Sequence, residues 1–329
     1  MPVVALFREK SIITVFYLVI LSVAVHTHLF FTAPLIITSD QDGIFSVLLQ
    51  TYLKGMGTTV LFILYQAIIL VQAIRLNGVM MELRMFPSSN YTTAMAYILL
   101  TGLLPQWCSI SPALLANFLL IWIFVKLSRL YNHPSPKTLL FNTGLIVGLS
   151  VVFYHPTAIL IGVVLFALAV VRPFKLAEWL ILLMGILLPY YFLASGLFLK
   201  DHLSGFSNFL PYLKWNLPLN HWSLSLILNL SVLTILLLAG LYYWQLSNKR
   251  MVIQIRKNWG VMMVMLLILL PIPFIFLHAG IESAIMCLIP MAAFDGNLLS
   301  NPRKMYLPNI LCILSFMMII YNNWWLIKN

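Results

Sequence analysis

The chain has 329 residues, 62% of them hydrophobic and only 8% charged, which excludes an ordinary soluble domain. Its formal net charge of +11 would point to nucleic acid in a soluble protein. Here the placement of the basic residues accounts for the charge, and nucleic acid is set aside as a partner. Three scattered cysteines, Cys108, Cys287 and Cys312, match no metal-ligand spacing and read as small buried side chains.

In chain order, the first apolar run covers roughly residues 11–33 and follows Arg8 and Lys10, as a signal peptide would. It is too long for a signal peptide and lacks a small-x-small cleavage site, so it reads as an uncleaved first span. Further spans are expected over roughly 55–74, 92–106, 110–127, 138–153, 156–171, 178–199, 224–246, 259–278, 281–294 and 306–327. The fold class is therefore all-α: one integral membrane domain over 1–329 with about eleven transmembrane helices. The third, fifth, sixth and tenth spans are short, about 14–16 residues or roughly 21–24 Å of helix. Their hairpin turns are tiny: Pro105-Gln106-Trp107-Cys108, Tyr154-His155-Pro156 and His278-Ala279-Gly280. Short helices joined by tight turns leave their tips below the membrane surface, which predicts a recess on that side.

Two connections on the same side have appreciable length. Pro34 to Lys54 contains Thr38-Ser39-Asp40-Gln41-Asp42-Gly43, and the apolar spacing from Ile44 to Leu53 predicts a short helix lying at the interface. Lys200 to Trp222 carries Phe206, Phe209, Tyr212, Trp215 and Trp222, an aromatic belt at headgroup level.

The basic residues alternate in sides. Arg8, Lys10, Arg75, Arg84, Lys126, Arg129, Lys137, Arg172, Lys175, Lys249, Arg250, Arg256, Lys257, Arg303 and Lys304, fifteen of the nineteen Lys and Arg, fall in alternate connections. Positive charge is retained in the cytoplasm during insertion, which predicts a cytoplasmic N-terminus and an extracytoplasmic C-terminus. The recess then opens outward. Basic inner loops are also expected to attract anionic membrane lipids.

Sorting the ionisable residues by side gives a skewed set. His26, His28, His155, His202, His221 and His278 fall outside with Asp40, Asp42, Asp201 and Glu282. Glu9, Glu82, Glu178 and Asp295 fall inside among basic residues and read as solvated partners, with Arg172 and Glu178 expected to pair. Titratable groups at membrane depth are costly and often functional. His278 and Glu282 lie four residues apart across one turn, and His155 tips the neighbouring hairpin. The bland readings are an interfacial role for each histidine and a turn-and-cap role for Asp40 and Asp42. His and carboxylates suit a divalent metal ion, but no His-x-x-x-His pair supports one. Gly144-x-x-x-Gly148 reads as a site of close helix packing.

The string Phe141-Asn142-Thr143-Gly144-Leu145-Ile146-Val147-Gly148-Leu149, then Tyr154-His155-Pro156, Arg172-Pro173-Phe174, Glu178-Trp179, and Gly185 to Pro189-Tyr190, resembles an uncharacterised multi-pass inner-membrane protein family of Bacteroidota. That resemblance covers the middle third and implies a bacterial inner (cytoplasmic) membrane location. More distantly, the chain is similar to the C-type glycosyltransferases, which take a sugar from a polyprenyl-phosphate carrier at the extracytoplasmic face. Those enzymes carry an acidic motif in the first outer loop followed by an interfacial helix, the place held here by Asp40-Gln41-Asp42 and Ile44 to Leu53. This sequence departs from that pattern in its first outer loop, about twenty residues long, and in lacking an appended soluble domain.

Two readings follow. In the enzymatic one, Asp40 or Asp42 acts as general base on an acceptor hydroxyl or holds a divalent metal ion. His155, His278, Glu282, Lys54, Lys200 and Lys214 then line the substrate site, the cations meeting the carrier phosphate. In the other, the chain is a non-catalytic membrane scaffold or complex subunit with a membrane protein partner, or a transporter. Transport is disfavoured by the absence of an acid expected at mid-membrane depth.

Overall fold

The structure is a computed structural model, described over residues 3–38, 43–131, 133–211, 224–248, 250–276, 279–300 and 305–325. Helices occupy most of it: α1 Ile12–Val25, α2 His28–Phe31, α3 Ile44–Leu53, α4 Thr58–Glu82, α5 Thr92–Thr101, α6 Pro112–Ser128 and α7 Pro136–Phe153. They continue as α8 Ile159–Val171, α9 Leu176–Leu199, α10 Leu224–Asn248, α11 Ile253–Leu269, α12 Ile272–Ile275, α13 Leu288–Ser300 and α14 Tyr306–Ile320. Among the described residues, extended pairing is confined to a parallel bridge between Ile36 and Ile110.

Among the described residues, seven helical stretches are long and apolar enough to cross a membrane: Thr58–Glu82, Pro136–Phe153, Leu176–Leu199, Leu224–Asn248, Ile253–Ile275, Ile281–Ser300 and Tyr306–Asn323. Five shorter apolar helices accompany them, α1, α3, α5, α6 and the stretch His155–Val171. The protein is thus an all-helical, multi-pass membrane protein.

Burial sorts these helices into layers. Every residue of α5 is buried, and so is α13 from Leu288 to Leu299. The two pack on each other through Gly296, whose carbonyl accepts the Thr92 hydroxyl at 2.9 Å and where a Cβ would stand 2.5 Å from the Thr93 hydroxyl. A helix apolar all round and fully enclosed is a core helix, so the ten residues of α5 never have to reach from face to face. Around this pair α9 and α10 present Met184, Leu187, Tyr191, Phe192, Leu228 and Leu238 outward, the surface that acyl chains cover. The α7–α9 pair is held closest of all. Gly144 lies against Gly185, and Gly148 against Ile186 and Pro189; a Cβ on Gly144, Gly148 or Gly185 would run into a main-chain oxygen of the opposite helix, that of Leu182, Ile186 or Phe141 respectively. The glycine spacing on α7 therefore does what small residues do between membrane helices.

The run expected as one span over 11–33 is broken. α1 ends at Val25, where His26 Nδ1 lies 3.0 Å from the Ser22 carbonyl and the Thr27 hydroxyl donates to Val23 and Ala24 at 2.7 and 2.9 Å. Polar side chains that hydrogen-bond the preceding turn compete with continuation of the helix. A helix is present over the expected stretch as α3, with Ser46 and Leu49 buried and Val47, Leu48 and Tyr52 exposed.

At one end of the bundle, basic side chains close helix C-termini. Arg8 Nε donates to the Leu299 carbonyl at 2.8 Å, Arg172 Nη1 to Leu130 at 3.0 Å, and Lys257 Nζ to Val171 at 2.8 Å. Arg8 and Lys257 thereby meet helix-end carbonyls of α13 and α8 and face the negative ends of those dipoles, whereas the Leu130 carbonyl, two residues past α6, also accepts from the His133 amide at 3.3 Å. These bonds tie basic residues of distant connections to other segments of the bundle.

Candidate functional site

The opposite end collects the irregular segments. Ile110 N donates to Leu35 and Ile37 N to Ile110, at 2.9 and 3.1 Å, tying the start of the first long connection to the entry of α6. The Gln50 amide donates to Thr38 at 3.0 Å, folding α3 back over that connection. Gly43 then takes a φ of +97°, backbone that an L side chain rarely adopts. A Cβ there would stand 2.8 Å from the Phe153 carbonyl oxygen and 2.9 Å from that of Val152. Phe45 stacks on Phe153, ring centroids 4.9 Å apart. The residue after Asp42 is therefore clamped against the end of α7, two residues before His155.

His155 is 4% exposed and opens a single 3-10 turn, His155–Ala158, whose Thr157 hydroxyl donates to Tyr154 at 2.7 Å. Proline at the second position of that turn fixes φ where no amide is needed. Glu282 sits at the start of another 3-10 run, Ile281–Cys287, half-buried, after Gly280 with φ +55°. That run is tied to the 3-10 turn Pro105–Trp107 by the Trp107 indole, which donates to Ile281 at 3.1 Å. Lys54 and Lys200 are exposed at the C-terminal ends of α3 and α9. Asp40, Asp42, His278 and Lys214 lie outside the described residues. Among the described residues, no group of three or more His, Cys, Asp or Glu side chains is arranged to hold a metal ion.

Of the other outer histidines, His26 is fully buried and structural. Its Nε2 lies 3.3 Å from the Tyr65 hydroxyl and 3.5 Å from that of Thr101, and Tyr65 donates onward to the Trp107 carbonyl at 3.1 Å. This belongs to a polar seam along α4 that sequence inspection missed. Gln66 accepts from Ser22 at 2.5 Å; Gln72 donates to Leu114 at 2.7 Å and accepts from Tyr97 at 2.6 Å; Asn117 donates to Tyr97 at 3.1 Å. Tyr65, Gln66, Gln72 and Asn77 all fall on the buried side of α4, the signal that could have revealed the seam.

The inner acids divide. Glu82 pairs with Arg75 at 3.1 Å with both side chains about half exposed, and Glu178 pairs with Arg172 at 3.1 Å almost out of solvent. Asp295 is not a solvated partner. It is 3% exposed, neither carboxyl oxygen has a hydrogen-bond partner among the described residues, and it borders a void of about 20 Å³ between Leu236, Cys312 and Ser315. The expected span stopped at residue 294, whereas α13 runs on to Ser300. That carries Asp295 about 7 Å inside the helix end instead of leaving it at the surface.

No family model matches the chain, and no curated protein or solved structure matches it. Its function has to be read from its own residues.

Proposed function

We propose that this multi-pass membrane protein is a lipid-phosphate-sugar-dependent glycosyltransferase that works at the extracytoplasmic face of a bacterial inner membrane. The observation that carries the reading is the clamp of Gly43 on the Phe153 carbonyl, which ties the acidic first loop to the hairpin tipped by His155. A carboxylate from Asp40 or Asp42 would take the proton of an acceptor hydroxyl, or hold a divalent ion. His155, with His278, Glu282 and the lysines Lys54, Lys200 and Lys214, would face the carrier phosphate and the sugar. A cation there stabilises the charge that stays on the departing phosphate. The exposed apolar residues of α3, Val47, Leu48 and Tyr52, give the polyprenyl tail a wall beside that loop.

The test is thermal unfolding of the purified chain with a polyprenyl-phosphate hexose. Only the folded state binds the carrier, so the midpoint rises with its concentration. Asp40→Asn combined with Asp42→Asn should abolish transfer to surface or secreted glycans while the carrier still stabilises the fold. Unchanged glycans in that double variant, or no stabilisation of the parent chain, contradict the reading.

Asp295 favours a second reading, ion- or proton-coupled transport. A carboxyl group inside a fully enclosed helix, with no hydrogen-bond partner among the described residues, costs several kcal/mol if charged, and such groups mark coupling sites in transporters. Asp295→Asn should abolish substrate uptake into proteoliposomes under that reading and leave glycan transfer intact under the first.

A further inference from the structure

A cleft of about 670 Å³ opens at the basic end, between the turn that leaves α4 and the junction of α10 with α11. Its walls are Phe86, Tyr243, Leu246 and Ile255, and its charged residues are Arg84 and Arg250. Among the described residues, no carboxylate lines it. The ion pairs among the described residues join Arg75 to Glu82 and Arg172 to Glu178, so neither Arg84 nor Arg250 has an acidic partner there.

The backbone under Arg84 adds a second observation. Helix α4 closes with two bonds, Met85 N to Met80 O at 2.9 Å and Arg84 N to Met81 O at 3.0 Å. That is the Schellman closure, and it puts Arg84 at the left-handed position, φ +52°. Glycine is the usual occupant because any Cβ there is strained by about 1 kcal/mol or more. A long cation stands where local preference asks for glycine, and it lines a cleft in which the described residues place no counter-charge. Residues that break a local rule at a cost are expected where function requires them.

We propose that this cleft binds the headgroup of an anionic phospholipid, with Arg84 and Arg250 on the phosphate and the acyl chains against Phe86, Tyr243 and Leu246. Guanidinium groups pair with phosphate oxygens through two parallel bonds, and an apolar wall beside two cations suits an amphiphile better than a free anion. Basic pockets between membrane helices on the cytoplasmic side are built this way. The site lies at the other end of the bundle from the acidic first loop and does not depend on the glycosyltransferase reading.

The experiment is thermal unfolding of the delipidated full chain in mild detergent. Phosphatidylglycerol is titrated against phosphatidylcholine of the same acyl chains and against inorganic phosphate. Phosphatidylglycerol raises the midpoint; the other two do not. Arg84→Gly raises the half-saturating phosphatidylglycerol concentration about tenfold while leaving the lipid-free midpoint equal to or above that of the parent, because glycine relieves the strained turn. Arg250→Gln weakens binding similarly, and Lys137→Gln, an exposed basic residue away from the cleft, does not. A parent-like response in Arg84→Gly overturns the proposal. So does an equal loss in Lys137→Gln, which would mean diffuse attraction to the basic face. Stabilisation by phosphatidylcholine or by inorganic phosphate alone overturns it too, the last indicating a free-anion site.

Discussion

Alanine at Gly185 should damage the protein although alanine is the better helix former. Two opposing quantities decide it. Replacing glycine inside a helix gains about 1 kcal/mol from propensity. Against this, the new Cβ would meet the Phe141 carbonyl oxygen and stand 3.1 Å from Gly144 Cα and Leu145 N, all of them main-chain atoms that cannot swing away. Relief requires the α7 and α9 backbones to separate, an overpacking cost at the upper end of the usual range, about 3 kcal/mol. The net expectation is a loss of about 2 kcal/mol. Gly196 on the same helix is the internal control. A Cβ there meets nothing within 4 Å, so Gly196→Ala should be neutral or gain up to about 1 kcal/mol. Unfolding midpoints of both variants in mild detergent give the comparison. Because α7 ends at Phe153, a displaced α7 should also carry His155 away from Gly43 and lower activity along with stability. If Gly185→Ala proves as stable as Gly196→Ala, the close approach of α7 and α9 is wrong, and so is the position of the His155 hairpin that depends on it.

The two ion pairs should behave differently. Glu178→Gln leaves Arg172 nearly out of solvent without its partner and should cost about 3 kcal/mol. Glu82→Gln should cost under about 1 kcal/mol, an effect that vanishes at high salt, and double-mutant cycles at low and high ionic strength separate the cases. Tyr97→Phe deletes the hydroxyl that joins Gln72 to Asn117 and should cost about 1–2 kcal/mol in detergent unfolding, with no change in the number of spans. Asp295→Asn should leave stability equal or improved, since it removes a carboxyl group that has no hydrogen-bond partner among the described residues; a loss above about 2 kcal/mol would mean that the group is paired after all.

Much of the helical architecture was legible because long apolar runs and helical spacing are local properties of the chain. Apolar runs marked the membrane helices, the spacing from Ile44 to Leu53 marked α3, and the glycine pair on α7 marked the tightest contact. The break after Val25 was not legible, because Ser22, His26 and Thr27 sit in a run whose mean hydropathy hides their side-chain bonds to the preceding turn. Asp295 was misplaced for a related reason. An acid in an apolar run marks the run's end in a lipid-facing helix, whereas α13 is walled by other helices and so continues past it. The seam along α4 escaped because single Gln, Asn and Tyr residues in a span reveal partners only when the neighbouring helices are known. The juxtaposition of Gly43 with Phe153 is a long-range contact that local pattern does not encode.

Both proposed sites require one sidedness: the acidic first loop outside, the arginine cleft inside. All three native cysteines are buried, so a cysteine introduced at either place is the main target for a membrane-impermeant maleimide. Asp42→Cys should label in intact spheroplasts, and Arg84→Cys should label only after the membrane is opened. Labelling of Arg84→Cys in intact spheroplasts, with Asp42→Cys protected until permeabilisation, would invert the topology and remove the extracytoplasmic site from the account.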